Sequence, residues 1–532
     1  HQFDLYRLDH SNFPFYRVEQ TFSRAYFTQG TTQEDTYFKG QFSREFDNNI
    51  NLTLDYSKIN NQGDLLYQRA TNIAFGLGLW YQSRGKRYQN FFTFISNSNE
   101  IEDNGGIEGE LIASDGQIAI VNPVLLTVRS QSAKTRYATE EWAFTQSFKP
   151  LNATDSLHRQ VEGDNVPLLI KHEFRYQNGS YKFYDEDAFS DQELYGNYAT
   201  DERGIRQFIS YRTFQNEVRL ASYQVSKDSL GSLQTRNLLE AGLRHQYFNI
   251  YQEPETIQRH NLFVVGKLRL SLSDRLSLNG QAHYGLLANR NDYQIKADLL
   301  LNFGKVGKFS AGLLNQQYSP SILEEQLFIN QKQFWENDFD KTITTTLSAK
   351  YEFPFFKLSA EGRYHLLNNY VYFDTSSIVQ QTGIPISIPQ LILRGQFKVW
   401  RFYLDNEVNL QALTEDLIRL PNYYSKHSLY YFGPLFKQAM EARIGFDLRM
   451  NSDFLLNAYQ PVIGQFYLQN EQTSEWQYLL DVFVNFKVQK FRFTFRFENL
   501  LPWLTRDYYY LTAHHPIIQS GLRFGIAWEF VD

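Results

Sequence analysis

The sequence of 532 residues contains no cysteine and no long hydrophobic run. Without cysteine, the chain cannot form disulfides, thiolate metal sites or a thiol nucleophile. No stretch of about 18 apolar residues is present, so we expect no membrane-spanning helix. The net charge of -6 argues against a nucleic-acid partner, and we expect none. The chain begins at His1 without a secretory leader, so we interpret it as a processed mature form.

Aromatic residues are abundant in spite of this polar character. The chain holds 45 Phe, 36 Tyr and 7 Trp, while its mean hydropathy is -0.47. A membrane β-barrel with a wet interior predicts this combination, because its strands alternate lipid-facing apolar residues with lumen-facing polar ones.

The alternation is clearest in the C-terminal stretch 476–532, where successive strand side chains should point to opposite faces. A one-residue slip of register would move arginines into lipid, at about 2–4 kcal/mol each near the midplane. The sequence therefore favours one orientation. The predicted lipid-facing side chains are Phe491, Phe493, Phe495, Phe497, Leu522, Phe524, Ile526, Trp528 and Phe530.

The opposite faces of these and other candidate strands carry a dense set of mixed charges. Two interpretations are open: a polar channel that screens solutes by size and charge, or ion pairs that brace the barrel wall. The predicted lumen-lining side chains are Arg492, Arg496, Glu498, Lys487, Arg523, Arg443, Asp447, Arg449, Arg394, Lys398, Arg363, Lys267 and Arg269.

Similar strands follow one another from about Arg17 to the end of the chain. They predict an all-β protein, a transmembrane up-and-down antiparallel β-barrel of about 22 strands, within a range of 18 to 22. Residues 1–16 should form an N-terminal arm, and residues 17–532 a single barrel with the C-terminus on the periplasmic side. A soluble β-sandwich would also alternate apolar and polar residues, but many candidate strands exceed the usual length of about 5–6 residues.

Turn signals separate the candidate strands. Short turns are expected at 400–401 and 451–452, and long connections at 98–137 and 413–437. The segment 98–137 includes a run, 118–128, that is too apolar for a freely solvated loop. Packing on a neighbouring loop is the simplest explanation of this composition, and packing on a partner protein is another. Our hypothesis for function is that 98–137 folds into the lumen as a constriction.

No catalytic or metal-binding motif stands out, and we expect neither an enzyme nor a cofactor or metal. Gly76 and Gly78 lie inside a strand pattern, so they are not a nucleotide fingerprint. His514 and His515 have no second ligand cluster nearby, and we expect them to be exposed to solvent. The acidic run 185–187 could hold calcium, but such a run is more often simply solvated.

The last hundred residues resemble a known family in three runs: FGPLFKQAMEARIGFDLRMNSDFLLNAYQPVIGQFYLQNE at 432–471, DVFVNFKVQKFRFTFRFENL at 481–500 and GLRFGIAWEF at 521–530. The sequence is similar there to the putative porin family of outer-membrane β-barrels from the Bacteroidota. This resemblance implies a barrel in the bacterial outer membrane. The chain departs from the usual terminal aromatic residue, because Val531 and Asp532 follow Phe530.

Two functions are consistent with these features. The first is a porin-like channel for passive diffusion of small hydrophilic solutes. The alternative is a non-conducting barrel subunit of a larger outer-membrane complex, for protein secretion or barrel assembly. The expected partners are outer-membrane lipid and, for the alternative, outer-membrane or periplasmic proteins.

Overall fold

The computed structural model describes residues 4–16, 18–46, 49–109, 111, 125–150, 165–188, 192–199, 201–227, 233–273, 275–505, 508–517 and 520–531. Its main element is one closed antiparallel sheet of 22 strands. Each strand pairs with its neighbours along the chain, and the first strand also pairs with the last. The predicted up-and-down barrel of about 22 strands is therefore confirmed.

Thirty strands occur among the described residues. The 22 strands of the barrel are β1 (Phe22–Gln29), β2 (Thr36–Phe46), β3 (Ile50–Asn61), β4 (Ala70–Gln82), β5 (Tyr88–Glu102), β6 (Lys134–Phe148), β7 (Asn165–Asp185), β8 (Ile205–Lys227), β9 (Leu233–Gln252), β10 (Glu255–Ser273), β11 (Leu276–Gly285), β12 (Tyr293–Asn302), β13 (Lys308–Tyr318), β16 (Thr342–Phe353), β17 (Leu358–Asn368), β20 (Ile386–Val399), β21 (Phe402–Gln411), β22 (Tyr423–Leu435), β23 (Met440–Asn451), β26 (Gln477–Val488), β27 (Phe491–Glu498) and β30 (Gly521–Val531). Four small hairpins lie outside the barrel sheet: β14 (Gln326–Ile329) with β15 (Lys332–Glu336), β18 (Val371–Phe373) with β19 (Val379–Gln381), β24 (Phe454–Gln460) with β25 (Gln465–Ser474), and β28 (Tyr509–Thr512) with β29 (His515–Ile517).

Helical structure is limited to single turns or little more. The described helices are α1 (Gln192–Tyr195), α2 (Ile322–Glu325) and α3 (Leu500–Thr505), and short 3-10 turns lie at Asp4–Tyr6, Gly196–Tyr198 and Pro354–Phe356. Ser321 begins α2 with a capping box, in which its hydroxyl accepts from the Glu324 amide and the Glu324 carboxylate accepts from the Ser321 amide. None of the described helices is long and apolar enough to span a membrane.

Most short turns lie at one rim of the barrel and most long connections at the other; the exceptions are 149–164, at the rim of the short turns, and 253–254, at the rim of the long connections. One rim holds most of the tight turns, the first residue of β1 and the last residue of β30, and we call it the short-turn rim. We call the other the loop rim. Several tight turns use left-handed backbone positions, for example Asn49 with φ 61°, Lys86 with φ 52° and Gly304 with φ 66°. Such positions reverse the chain within two to five residues.

Two turn predictions were wrong. The segment 413–437 is not one long connection, because β22 (Tyr423–Leu435) lies within it and a tight turn follows at 436–439. Consequently Asn451 ends β23 and Ser452 begins a long connection at the loop rim, so the two residues do not form a tight turn. The reason is the composition of β22, in which tyrosines lie on both faces and obscure the period-2 pattern.

The connection between β5 and β6 is shorter than the predicted segment 98–137. Strand β5 continues to Glu102 and β6 begins at Lys134. Residues 112–124, which contain most of the apolar run, lie outside the described residues. The flanks pack on other loops of the same rim, with Ile107 and Val128 buried beside Leu65 and in contact with Tyr508.

Candidate functional site: the barrel lumen

Charged side chains on one face of β23, β26 and β27 form a connected group. Arg496 contacts Asp447 at 2.7 Å and Asp481 at 3.0 Å, and Arg449 contacts Asp481 at 3.1 Å. Both carboxylates are nearly inaccessible to solvent. Burying carboxylates is costly unless they are paired and hydrogen-bonded, so these contacts fix the register of three neighbouring strands.

A second charged group lies on β7, β8 and β9. Glu217 pairs with Arg219 and Arg244, while Glu240 pairs with Lys171 and with Arg219. The two glutamates are buried, and the cations are partly exposed. The barrel wall is therefore braced by ion pairs in two separate sectors.

Other predicted lumen residues divide into paired and unpaired cations. Arg523 pairs with Glu498 at 2.5 Å, Arg394 with Glu407 at 2.9 Å and Arg363 with Glu361 at 2.6 Å. Arg269 donates a hydrogen bond to Asn279. The predicted cations that make no ion pair within the part of the chain that the structure describes are Lys267, Arg269, Lys398, Arg443, Lys487 and Arg492.

Three of the cations in β20–β27 lie over aromatic rings on the same face. Lys398 Nζ is 5.0 Å from the centroid of Tyr403, which stacks on Tyr430 at 5.3 Å. Arg443 Cζ is 3.9 Å from the Tyr430 ring, and Arg496 Cζ is 5.6 Å from the Phe483 ring. Cations over ring faces are stabilised without losing their charge, so this sector stays basic.

The predicted lipid-facing residues share the opposite face. In the sheet Phe491 lies beside Trp528, Phe493 beside Ile526, Phe495 beside Phe524 and Phe497 beside Leu522. Leu522 is 54% exposed and Trp528 is 39% exposed in the isolated chain. Phe530 contacts the Trp528 ring. Since large apolar side chains are exposed along this face, we take it as the outer face and the charged face as the lumen face.

The N-terminal arm lies on the lumen face of β2–β6. We use "arm" for residues 4–16. The Leu8 amide donates to Asn97 Oδ1 at 2.9 Å, and Asn97 Nδ2 donates to the Leu8 carbonyl at 2.9 Å. The His10 amide donates to Glu141 Oε1 at 2.7 Å, and Gln41 Nε2 donates to the Tyr16 hydroxyl at 3.1 Å. The arm thus runs inside the barrel from the start of β1 toward the loop rim.

Aromatic side chains anchor the arm in a groove that two glycines create. Phe13 is 6% exposed and lies against Gly76 and Gly78 of β4. Phe15 makes edge contacts with Phe13 and with Phe91 of β5, at centroid distances of 5.2 and 4.9 Å. A larger residue at either glycine would occupy the space of the Phe13 ring.

Long connections meet above the loop rim and form a structure that we call the cap. It comprises the described residues of 186–204, 319–341, 369–385 and 452–476. Their apolar side chains share one core with the ends of β7 and β8. The buried residues of this core are Ala133, Phe183, Ala188, Leu194, Tyr195, Tyr198, Ile205, Leu327, Ile329, Trp335, Phe373, Val379, Val462 and Ile463.

Hydrogen bonds in the cap join connections from different sides of the barrel. Gln460 Nε2 donates to the Leu194 carbonyl at 3.1 Å, and the Tyr198 hydroxyl donates to the Ser377 carbonyl at 2.6 Å. Leu194 follows β7, the seventh barrel strand, whereas Gln460 follows β23, the nineteenth of 22. These strands are nearly opposite each other around the ring, so the cap bridges the mouth of the barrel.

The acidic run 185–187 supports the cap from within the protein. Asp185 is 1% exposed. Its carboxylate accepts hydrogen bonds from the hydroxyls of Ser130, Ser132 and Tyr195 and from the Asp187 amide. Within the described residues no group of three or more potential metal ligands occurs. Asp185 therefore holds the 125–133 connection against the cap, and the expectation of a solvated acidic run was wrong for this residue.

The His514–His515 pair lies in the β28–β29 hairpin and is less accessible than expected. The His515 ring is partly buried and its Nδ1 atom lies 2.9 Å from the Ala513 carbonyl oxygen. Burial lowers the pKa of His515, because the charged imidazolium loses hydration. The hairpin also contacts Gly106, where a side chain would meet the His514 backbone. These residues serve the packing of neighbouring loops.

Sequence reasoning missed both the position of the arm and the common core of the cap. The arm left one signal, a pair of glycines two residues apart on the lumen face of a strand. A strand interior rarely uses glycine unless something approaches closely. The cap left a weaker signal, apolar residues scattered through long polar connections.

The chain is similar to known proteins both in sequence and in fold. The family model described as putative porin matches residues 1–532, so the match covers far more than the last hundred residues. No curated protein has a significant match to the sequence.

Solved structures show the same fold at low sequence identity. The FrpB iron transporter (F3-3 variant) of Neisseria meningitidis has a TM-score of 0.64 at 11% identity, with 96% of this chain and 82% of that chain covered. The siderophore receptor PirA of Acinetobacter baumannii gives 0.65 at 9% identity, with 96% and 81% covered. The copper transporter OprC gives 0.66 at 10% identity, with 96% and 80% covered. These likenesses concern the barrel fold alone.

Proposed function

Since the chain belongs to the putative porin family, we propose that this outer-membrane β-barrel is a channel for passive diffusion of small hydrophilic solutes. One observation carries the proposal. The lumen face has charged and polar side chains in both sectors described above, and several cations there have no ionic partner among the described residues. A wall of this kind favours hydrated solutes over apolar ones.

The arm and the cap restrict this path. The arm occupies the lumen face of five strands, and the cap bridges the mouth at the loop rim. We propose that both segments narrow the path, so that solutes pass only through the part of the lumen that the arm and the cap do not occupy. We keep the hypothesis that the segment 98–137 narrows the lumen. The connection between β5 and β6, which lies within this segment, then contributes to the same constriction.

The orientation follows from the two rims. Outer-membrane barrels have short periplasmic turns and longer extracellular loops. We propose that the short-turn rim, with the C-terminus, faces the periplasm and that the cap faces the exterior. A Bacteroidota source stays an expectation from the resemblance, and we assign the protein no catalytic activity.

A second candidate function has its own support. A cap with a continuous apolar core and a lumen that holds an arm suit a barrel that does not conduct. Such a barrel would act as a subunit of a larger outer-membrane complex for protein secretion or barrel assembly. Periplasmic or outer-membrane proteins would then be its partners.

Single-channel recording in planar bilayers separates the two candidates. The wild-type barrel is compared with a variant in which residues 188–199 are replaced by a short Gly-Ser linker. A channel predicts measurable conductance that rises in the variant, because Leu194, Tyr195 and Tyr198 leave the cap core. Absence of conductance in both proteins, together with proteins that stay bound through gentle purification, would instead support the subunit role.

A further inference from the structure

Five consecutive tight turns at the short-turn rim share one composition. They are 303–307, 354–357, 400–401, 436–439 and 489–490, between β12 and β27. Each contains one cation and no acid, and the cations are Lys305, Lys357, Arg401, Lys437 and Lys490. We call these five turns the basic turn arc.

The loop rim has the opposite balance. The connection 319–341, for example, contains Glu324, Glu325, Glu336, Asp338 and Asp340 against two lysines. The uniform positive charge therefore belongs to these five turns, since 47–49 and 274–275 at the same rim each contain an aspartate.

Four of the five turns also expose a large aromatic ring. Phe303 is 51%, Phe355 72%, Trp400 67% and Phe436 76% exposed. A single exposed aromatic residue would need no explanation. A ring beside a cation in four successive turns is a repeated arrangement that favours a boundary between water and apolar chains.

Backbone strain adds a separate reason. Trp400 has φ 53° and Phe436 has φ 50°, in the left-handed region that non-glycine residues rarely adopt. Glycine or asparagine would form these turns at lower cost. Trp400 contacts Arg401, Phe402 and Tyr431 within the protein, but most of both rings stays exposed and available for a contact outside the barrel.

We propose that the basic turn arc binds the headgroups of anionic phospholipids in the adjoining leaflet. The five cations contact the phosphates, and the four rings lie at the boundary between headgroups and acyl chains. Basic side chains near an anionic membrane surface are attracted to it, and the attractions of several such side chains add together. This inference concerns the outside of the barrel and holds whether or not the lumen conducts.

The spacing of the cations favours lipid over an acidic protein. Successive turns of the arc are two strands apart, which places them on the order of 10 Å from each other around the rim. Such an arrangement matches a row of separate lipid headgroups that surround the barrel. It presents no single compact patch for a protein to cover.

Native mass spectrometry of the purified full-length barrel tests the proposal. The protein is incubated in detergent with equal amounts of phosphatidylglycerol and phosphatidylcholine, and the bound lipids are counted. The test variant carries Lys305→Gln, Lys357→Gln, Arg401→Gln and Lys437→Gln. A control variant removes the same charge from cations toward the loop rim, through Lys58→Gln, Arg136→Gln, Arg212→Gln and Lys332→Gln.

We expect wild type and control to retain phosphatidylglycerol over phosphatidylcholine, and the test variant to lose at least about threefold of that preference. Added salt should weaken the preference in wild type, because the four lysines of the arc are exposed to solvent. An unchanged preference in the test variant, or an equal loss in the control, would overturn the proposal. Loss of a co-purifying protein from the test variant, with lipid preference intact, would assign the arc to a protein partner and overturn it as well.

The rings are tested separately in the same measurement. Phe436→Gly relieves the left-handed backbone position and removes the ring. We expect a more stable turn but a smaller number of retained lipids. Unchanged lipid retention in Phe436→Gly and in Trp400→Gly would remove the aromatic part of the proposal.

Discussion

The ring of Phe13 in the arm occupies the space that a side chain on Gly78 would need. A Cβ atom built on Gly78 would lie 2.4 Å from Phe13 Cε1, and one on Gly76 would lie 2.5 Å from Phe13 Cε2. Both distances are far below van der Waals contact, so the arm can lie against β4 only because these positions are glycine. A single substitution at either glycine should therefore displace the arm from β4.

Gly78→Val should displace the arm and increase conductance through the barrel. Valine suits a strand, so the sheet should tolerate it, while its side chain excludes Phe13 and Phe15 from the wall. Single-channel recording in planar bilayers measures the effect. The matched control is Gly362→Val on β17, because a Cβ there meets no atom within 4 Å. Equal conductance in the two variants and wild type would show that the arm does not restrict the lumen.

The barrel could be read from the sequence because its signal repeats. Register pairs such as Phe493 with Ile526 follow from period-2 alternation, and tight turns such as 400–401 follow from turn-forming residues. Neither requires knowledge of distant contacts. Strand β22 could not be predicted in this way, because tyrosines on both of its faces obscure the alternation of apolar and polar residues.

The arm and the cap could not be read in the same way. The contact of Leu8 with Asn97 spans 89 positions, and that of Gln460 with Leu194 spans 266. No local period encodes such distances. The ion pairs of Arg496 could not be predicted for a similar reason. The alternation placed Arg496 on the lumen face, but it did not show whether the guanidinium contacts solutes or pairs with carboxylates of neighbouring strands.

Leu327→Ala should loosen the cap. Leu327 is fully buried in the cap core, and removing a buried leucine side chain typically costs about 2–5 kcal/mol. We expect faster proteolytic cleavage within residues 319–341 and a higher conductance. Leu347→Ala is the control, because Leu347 lies on β16 and is 50% exposed. A cleavage rate that stays at the wild-type value would contradict the packed cap.

Arg496→Gln should destabilise the barrel, and Arg492→Gln should not. Both residues lie on the lumen face of β27, but only Arg496 pairs with Asp447 and Asp481. Its removal leaves two buried carboxylates without that partner. We expect a loss on the order of 2 kcal/mol, below the value for a fully buried pair because Arg496 is partly exposed. Thermal unfolding of the two variants measures the difference, and similar midpoints would mean that the ion pairs do not brace the wall.

Asp103→Asn should stabilise the connection between β5 and β6 near and above neutral pH. Asp103 is partly exposed as a residue, but its Oδ2 atom is buried and accepts no hydrogen bond within the part of the chain that the structure describes. Burial raises the pKa of Asp103 to about 7, and the Thr135 hydroxyl offsets only part of this effect. Because the folded pKa lies above the unfolded one, the stabilising contribution is present at low pH and is lost as pH rises toward 7.

Proteolysis of this connection at pH 5 and pH 8 tests the sign. We expect wild type to be cleaved faster at pH 8 than at pH 5, and Asp103→Asn to show little difference between the two. Asp453→Asn, at an exposed position of the loop rim, controls for the pH dependence of the protease. Faster cleavage of wild type at pH 5 would contradict the raised pKa of Asp103.

Phe493→Lys should impair insertion into lipid, whereas Thr494→Lys should be tolerated. The two residues are adjacent on β27, but Phe493 stacks on Phe486 at 4.9 Å on the outer face and Thr494 lies beside Gly525 on the lumen face. A lysine on the lipid face near the midplane costs about 2–4 kcal/mol, while one in a hydrated lumen keeps its water. Folding yield into phosphatidylcholine vesicles, followed by the shift in gel mobility between folded and heated protein, measures both variants. A similar yield for the two would mean that the outer face of β27 does not contact hydrocarbon.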